Sequence, residues 1–273
     1  MPTVVENLQL WNSRYDWRDA GDEWSAQFGG TEALWWFVLY PRIHRFLPAG
    51  TILEIAPGFG RWTQFLRHQC ETMIALDISE KCIEHCKKRF EADTHAQFYV
   101  NDGSSLAAVP DASIDFVFSF DSLVHAENEV IRSYLLQLAS KLTPNGVGFI
   151  HHSNMASYPG RLAFVNYYRR LPSAFRRYVL KEKYMERLLS INVTSWRATS
   201  VSAKLFRKYC EQADLKCVSQ ELINWDKGDC LIDTLSIFTK PNSQWDRKDL
   251  HLENDQFVKA TALTRRLSGL YCR

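Results

Sequence analysis

The residues best suited to chemistry fall at five places, each where a short apolar run gives way to small or polar residues. Ile52-Leu53-Glu54-Ile55-Ala56-Pro57-Gly58-Phe59-Gly60-Arg61 puts an acid at the end of an apolar run and two glycines in the turn that follows. Glycine lets the backbone approach a ligand closely, and a helix opening from such a turn presents unpaired amides. Asp77 ends a second run, Ala75-Leu76-Asp77-Ile78, where a carboxylate offers two acceptor oxygens to neighbouring hydroxyls. Asn101-Asp102-Gly103 and Phe120-Asp121 end two more. Three histidines follow: His125 after Asp121-Ser122-Leu123-Val124, and His151 and His152 ahead of Ser153-Asn154.

Two nucleotide-site readings compete for the glycine turn. A nicotinamide or flavin fingerprint, G-x-G-x-x-G/A, needs a small third residue for tight helix–strand packing, and that place is held by Arg61, which fits a pyrophosphate site poorly. The turn instead resembles motif I of class I S-adenosylmethionine-dependent methyltransferases, an acid followed by G-x-G-x-G, with Ala56 where the first glycine stands. That resemblance implies S-adenosylmethionine as cofactor. It gives Glu54, Ala56, Gly58, Gly60 and Arg61 to the cofactor turn, Asp77 to both ribose hydroxyls, and Ile78 to the adenine face. Asp102 with Gly103 takes the adenine amino group, and Asp121 stands where the family closes over the methionine end. Each signal alone is common in loops and caps; their order and spacing over Thr51–His152 carry the reading.

Methyl transfer is an in-line displacement at an already activated carbon, so the protein must position the acceptor and, for an alcohol, remove its proton. The candidate bases are His152, His125 and His151, because imidazole titrates nearest neutral pH. Adjacent strand residues point to opposite faces, so one of His151 and His152 should face the acceptor, and His152 is nearer the open end of the strand. His125 stands where many methyltransferases carry a structural histidine. A metal reading assigns Mg2+ to Asp121, Asp229 and Asp233, since some sugar methyltransferases hold vicinal hydroxyls that way.

The flanks bear on the acceptor. Asp22-Glu23-Trp24-Ser25, Gly29-Gly30-Thr31-Glu32 and Trp35-Trp36 set indole faces beside polar groups, an arrangement that suits sugars. The stretch Trp24–Gly30, the Pro41-Arg42 turn, Ala56–Trp62 and His151–Asn154 together resemble bacterial methyltransferases of glycan or glycolipid assembly. The resemblance implies a sugar, glycan or small-molecule acceptor methylated at oxygen with a histidine base. Arg161, Arg169, Arg170, Arg176, Arg177, Lys181, Lys183 and Arg187, opposed by Glu182 and Glu186, form a basic stretch read as a solvated face, or as a site for an anionic or lipid-linked acceptor. The alternatives are an N- or C-methyltransferase on another metabolite, and a non-catalytic cofactor-binding scaffold.

These residues need a frame to hold them. Apolar runs alternating with helical patterns predict an α/β, Rossmann-like doubly wound sheet of seven strands with an antiparallel last strand. Strands are expected at Thr51–Ile55, Thr72–Asp77, Ala96–Val100, Ile114–Phe120, Val147–His152, Lys216–Asn224 and Leu231–Lys240. Helices are expected at Gly60–Gln69, Ser79–Glu91, Glu127–Leu142, Ala163–Leu189 and Ser202–Ala213, with a kinked one over Thr31–Leu47. The organisation is an N-terminal helical cap (1–50), a methyltransferase domain (51–240) with a helical acceptor-side insertion near 155–200, and a tail (241–273). In the tail, Phe257, Leu263, Leu267 and Leu270 form a helical stripe read as a packing or homo-oligomer face.

Composition agrees with a folded enzyme: 273 residues, 46% hydrophobic and 23% charged. A net charge of +2 gives no ground for a nucleic-acid partner. The seven cysteines are odd in number and scattered, hence read as reduced thiols, and no apolar stretch is long enough for a transmembrane segment. A cytoplasmic location is the expectation.

Overall fold

The structure is a computed structural model, and it describes residues 3–178, 196–225 and 229–271. One eight-stranded sheet runs through it in the order β3-β2-β1-β4-β5-β7-β6-β8. The strands are β1 (Ala49–Ile55), β2 (Cys70–Asp77), β3 (Ala96–Val100), β4 (Ile114–Ser119), β5 (Leu142–Ser153), β6 (Lys216–Ile223), β7 (Asp233–Thr239) and β8 (Leu250–Asn254). The first five are mutually parallel, and β7 lies antiparallel between β5 and β6. This is the expected Rossmann-like sheet with its antiparallel seventh strand, extended by one: β8 pairs parallel to β6. The extra strand is short and exposed: Leu250 and Leu252 alternate with His251 and Glu253, but the run is too brief to mark a strand and both leucines face outward.

Parallel strands place all their carboxyl ends on one edge, so residues 56, 77, 101 and 121, far apart in sequence, meet there. Two apolar layers hold the sheet. One face packs Leu53, Ile55, Val117 and Ile150 against Leu135, Leu138 and Phe206; the other packs Ile52, Phe116, Phe118 and Phe149 against Leu34, Trp35, Leu39 and Ile43. The N-terminal segment therefore supplies half of one layer.

Several boundaries differ from expectation for identifiable reasons. The helix after the glycine turn is regular only over Thr63–Leu66, because positive φ at Gly58 (59°) and Gly60 (85°) prolongs the turn. Pro144 and Asn145-Gly146 do not end a helix ahead of a separate strand. They lie within β5, where pairing to β4 jumps from Ile114↔Leu142 to Phe116↔Val147 and absorbs the turn as an irregularity. A Cβ on Gly146 would stand 2.6 Å from the Ile114 carbonyl, so glycine is required at that crossing. The kinked helix becomes short pieces, Thr31–Leu34, Trp35–Leu39 and Tyr40–Ile43, with Pro41 unable to donate to the preceding turn.

The long basic helix is two, Pro159–Arg170 and Ser173–Tyr178; its expected continuation to Leu189 lies outside the described residues. In the terminal helix Phe257–Tyr271, the apolar stripe is not the packed face. Leu263 and Leu270 are exposed, while Thr261, Thr264 and Ser268 are buried with Phe257. Small side chains win there because the helix runs against Gly29, where a Cβ would be 2.2 Å from Ser268 Oγ. Among the described residues no helix is long and apolar enough to cross a membrane.

Candidate active site

A cavity of about 430 Å³ opens at the carboxyl ends of β1, β2 and β4, within the range of small-molecule sites. The sheet supplies one wall. Asp77 is nearly buried and lines it; Oδ2 accepts from Gly58 N (3.0 Å) and Oδ1 from Ser79 N (2.8 Å). Burial pushes its carboxyl up to about 6 despite those amides, a desolvation that further donors in the cavity would relieve. Ala56, Gly58, Ile78 and Gly103 line the same wall. Gly58 is in the left-handed region at φ 59°, and a Cβ there would stand 2.9 Å from the Trp17 indole, so the turn and the ring above it require the bare backbone.

Beneath this wall lie two residues assigned to the cofactor turn that do not reach the cavity. Glu54 is buried, accepts from Thr63 Oγ1 (2.5 Å), and is pushed by burial up to about 8. Its Oε1 has no hydrogen-bond partner. Gly60 packs against Phe90 and Cys86 instead of the cavity. Asp102 is also placed differently from expectation. Its Oδ1 accepts from the amides of Ser104 (2.8 Å) and Ser105 (2.7 Å), so it caps its own loop and points away. Asn101 lines the cavity in its stead, bonded to Tyr134 Oη (3.1 Å).

The far end of the cavity is charged. Arg61 and Asp121 form an ion pair at 2.9 Å with side chains 5% and 14% exposed. The guanidinium lies between the Trp62 ring (4.6 Å) and the Trp24 ring (5.2 Å), which fixes its plane by cation–π contact. Asp121 has φ 61°, uncommon for a residue with a side chain. Its amide donates to His151 Nδ1 (3.2 Å), which leaves the proton of a neutral ring on Nε2. That nitrogen lies 3.3 Å from Asp233 Oδ2 without hydrogen-bond geometry, and Asp233 is chelated by Arg197 (2.8 Å). Burial alone would raise the Asp233 carboxyl, but Arg197 and His151 outweigh it and hold it well below the carboxylate range. A buried chain of charge thus stands behind the strained turn at Asp121.

Of the three histidines, only His125 lines the cavity. Its Nδ1 donates to the Trp196 carbonyl, leaving Nε2 as the nitrogen able to accept a proton. Burial, with help from Arg197, lowers it to about 4, so the ring is neutral at physiological pH. His152, the expected base, is turned to the opposite face. Nδ1 donates to the Ser153 carbonyl (2.9 Å), Nε2 is 2.8 Å from Ser236 Oγ, and the ring stacks on Phe206 at 4.3 Å. Both nitrogens are engaged in the core, which corrects its assignment. His151 is buried behind Asp121, as the alternation along β5 dictates.

The three aspartates read as metal ligands do not converge. Asp121 pairs with Arg61, Asp233 with Arg197, and Asp229 is exposed; among the described residues no group of three or more His, Cys, Asp or Glu could hold a metal.

Of the opposite wall the sequence reading singled out only Trp24. Residues 3–28 fold across the cavity and present Val4, Asn7, Trp11, Trp17 and Trp24 to it. Asn7 ties down one end: Nδ2 donates to the His125 carbonyl (2.9 Å) and Oδ1 accepts from Trp196 Nε1 (2.9 Å). Asn12 Oδ1 ties the other end to Ser79 Oγ (2.9 Å) and the Lys81 amide (3.2 Å). Trp17 stacks on Phe59 at 4.4 Å, and Trp11 lies 5.4 Å from the His125 ring. A tryptophan at 11, 17 and 24 was the available signal, but without helical period it names no partner.

Residues 52–146, from β1 into β5, match the family model described as a methyltransferase domain. Over these residues the chain is similar to a methyltransferase domain. No curated protein sequence matches the chain significantly. The fold is similar to that of the PH0226 protein of Pyrococcus horikoshii OT3, at 17% identity and TM-score 0.54, covering 85% of this chain and 96% of that one. It is also similar to a SAM-dependent methyltransferase from Methanosarcina mazei, at 17% identity and TM-score 0.52, covering 74% and 98%. PKMT2 from Rickettsia typhi, solved in complex with AdoHcy, has 11% identity and TM-score 0.50, covering 74% and 51%. These likenesses are of fold. The cofactor of the methyltransferase domain fits the residues present: paired carboxylate oxygens at Asp77, bare backbone at Gly58, and an apolar slot at Ile78 and Gly103.

Proposed function

We propose that the methyltransferase domain methylates a hydroxyl of a sugar, glycan or related small molecule held between the sheet edge and the N-terminal segment. The observation that carries this is a neutral imidazole, His125, lining a cavity walled by indoles, with its Nδ1 committed to Trp196. Asp77 holds the ribose, Ile78 and Gly103 flank the base, and the Arg61–Asp121 pair closes the amino-acid end. When bound, S-adenosylmethionine supplies an electrophilic methyl group. The chain's residues do the remainder. Trp11 and Trp24 present flat apolar faces that suit the C–H faces of a sugar. His125 Nε2 takes the hydroxyl proton as the oxygen becomes nucleophilic, a contribution typically of 10²–10⁴-fold. The buried His151–Asp233–Arg197 chain holds Asp121 in place and is structural. Mg2+ has no part in this reading.

The test is transfer of labelled methyl from S-adenosylmethionine to a panel of hydroxylated sugars, with amines and thiols alongside. Label appearing in a sugar as an alkali-stable ether supports the proposal; label confined to the amines, or cofactor binding without transfer to any class, would overturn it.

A further inference from the structure

The sheet ends in a strand whose outer edge is open among the described residues. β8 pairs with β6 along one edge, without a register shift, and no described strand lies along the other. It is held at both ends: Asp249 meets Arg207 at 3.1 Å, and Asn254 Nδ2 donates to Glu221 at 2.7 Å. Between these anchors both faces are open. Leu250 (54% exposed) and Leu252 (57% exposed) stand on one, while His251 and Glu253 are exposed on the other, 3.9 Å apart. Strand edges that stay unpaired are commonly blunted by lysine, proline or a bulge, and Leu250–Asn254 contains none of these.

These five residues are self-complementary when run antiparallel against a copy of themselves. With Leu252 opposite its own copy, His251 faces the partner's Glu253 and Glu253 faces the partner's His251, so one face carries two imidazole–carboxylate contacts and the other a leucine pair. Moving the register by one residue sets a leucine against Glu253, and moving it by two sets His251 or Glu253 against its own copy. We infer that β8 is the contact between two copies of this chain, joined edge to edge about a twofold axis at Leu252. Antiparallel pairing gives protein partners to backbone groups that otherwise face water, and cross-strand pairs of opposite charge and of apolar side chains favour it. A twofold contact uses the same patch on both copies, which is what self-complementarity supplies. A strand this short buries less than the about 1,200 Å² at the low end of stable interfaces, so the dimer is reversible and forms as concentration rises. The cavity lies at β1, β2 and β4, with β5, β7 and β6 between it and the contact, so cofactor binding does not depend on dimerisation.

Sedimentation velocity of the full chain over a concentration series tests this, with dimer expected at the upper end. Leu252→Lys should weaken association about thirtyfold or more, because a leucine pair is lost and two like charges face each other. His251→Glu should weaken it about tenfold by setting glutamate against the partner's Glu253 at both contacts, and His251→Glu with Glu253→His, which inverts both, should restore it. Leu252→Cys should give a disulfide-linked dimer on mild oxidation, beyond any that wild type gives, since directly opposite Cβ atoms lie about 4.5–5.5 Å apart. Leu250→Cys should not, because its copy is displaced by four residues. The substituted side chains are exposed, and unchanged S-adenosylhomocysteine affinity is the check that the variants fold. Monomer at every concentration, a dimer that Leu252→Lys leaves intact, no rescue by the double variant, or equal cross-linking through positions 250 and 252 would overturn the inference.

Discussion

The two walls of the cavity are built in opposite ways. On the sheet side, Ala56, Asp77, Asn101 and Asp121 sit at the ends of buried strands, and their places are set by register with neighbours on both sides. On the cap side, residues 3–28 reach the cavity through short helical pieces, Val4–Gln9, Leu10–Arg14 and Asp22–Phe28, held by a few long-range contacts: Asn7 on His125 and Trp196, Asn12 on Ser79 and Lys81, Trp17 on Phe59. A wall made of strand ends is rigid because moving it breaks the core. A wall made of capping asparagines and stacked rings can yield without unfolding the rest. We expect loss on the sheet side to abolish cofactor binding or folding, and loss on the cap side to alter affinity by smaller amounts.

His125 joins the two walls, and the largest effect is expected there. His125→Ala should lower turnover by roughly 10²–10⁴ with S-adenosylhomocysteine affinity nearly unchanged, measured at saturating cofactor and acceptor. The base form is the neutral ring, and burial lowers its pKa to about 4. The wild-type rate should therefore stay level as pH drops from neutrality and fall only near pH 4. A descending limb at the ordinary imidazole pKa would mean that His125 is not the base.

Next comes the charge chain behind the sheet wall. Arg197→Ala leaves Asp233 buried and uncompensated, expected to destabilise folding by about 3–5 kcal/mol in urea unfolding. Because the folded-state pKa of Asp233 is depressed, its stabilisation is present above the unfolded-state value near 4 and is lost as pH falls below it. The variant should lose that part of the acid dependence. An unaltered midpoint would show that the chain is not a support for Asp121.

The smallest effect belongs to the cap. Trp17→Ala removes a stacked ring from Phe59 and from above Gly58, and should weaken S-adenosylhomocysteine by about 0.5–1.5 kcal/mol, with little change in melting temperature. A loss of folding would place the cap among the rigid elements and erase the distinction between the walls.

That same distinction governed what could be read from sequence. The strands of the sheet and the place of Asp77 at the end of one were legible because buried parallel strands are written as local apolar runs, and a glycine turn marks where they end. Asp102 misled because an aspartate after a strand serves equally well as a loop cap, and the choice between it and Asn101 rests on Tyr134, a residue on a distant helix. His152 misled for a different reason. Period two says that His151 and His152 face opposite ways but not which way the site lies, and Phe206 and Ser236 claim His152 for the core. The role of Asn7 was illegible because its partners are 118 and 189 residues away.

The central claim is that the carboxyl ends of β1 and β2 hold the cofactor's ribose through Asp77. Calorimetric titration of S-adenosylhomocysteine into wild type and Asp77→Ala tests it most directly. The account predicts one site in the wild type and a loss of about 2–4 kcal/mol in the variant, since two hydroxyls and the Gly58 and Ser79 amides lose their acceptor together. Equal affinity in a folded Asp77→Ala protein would contradict the placement of the cofactor and the site built around it.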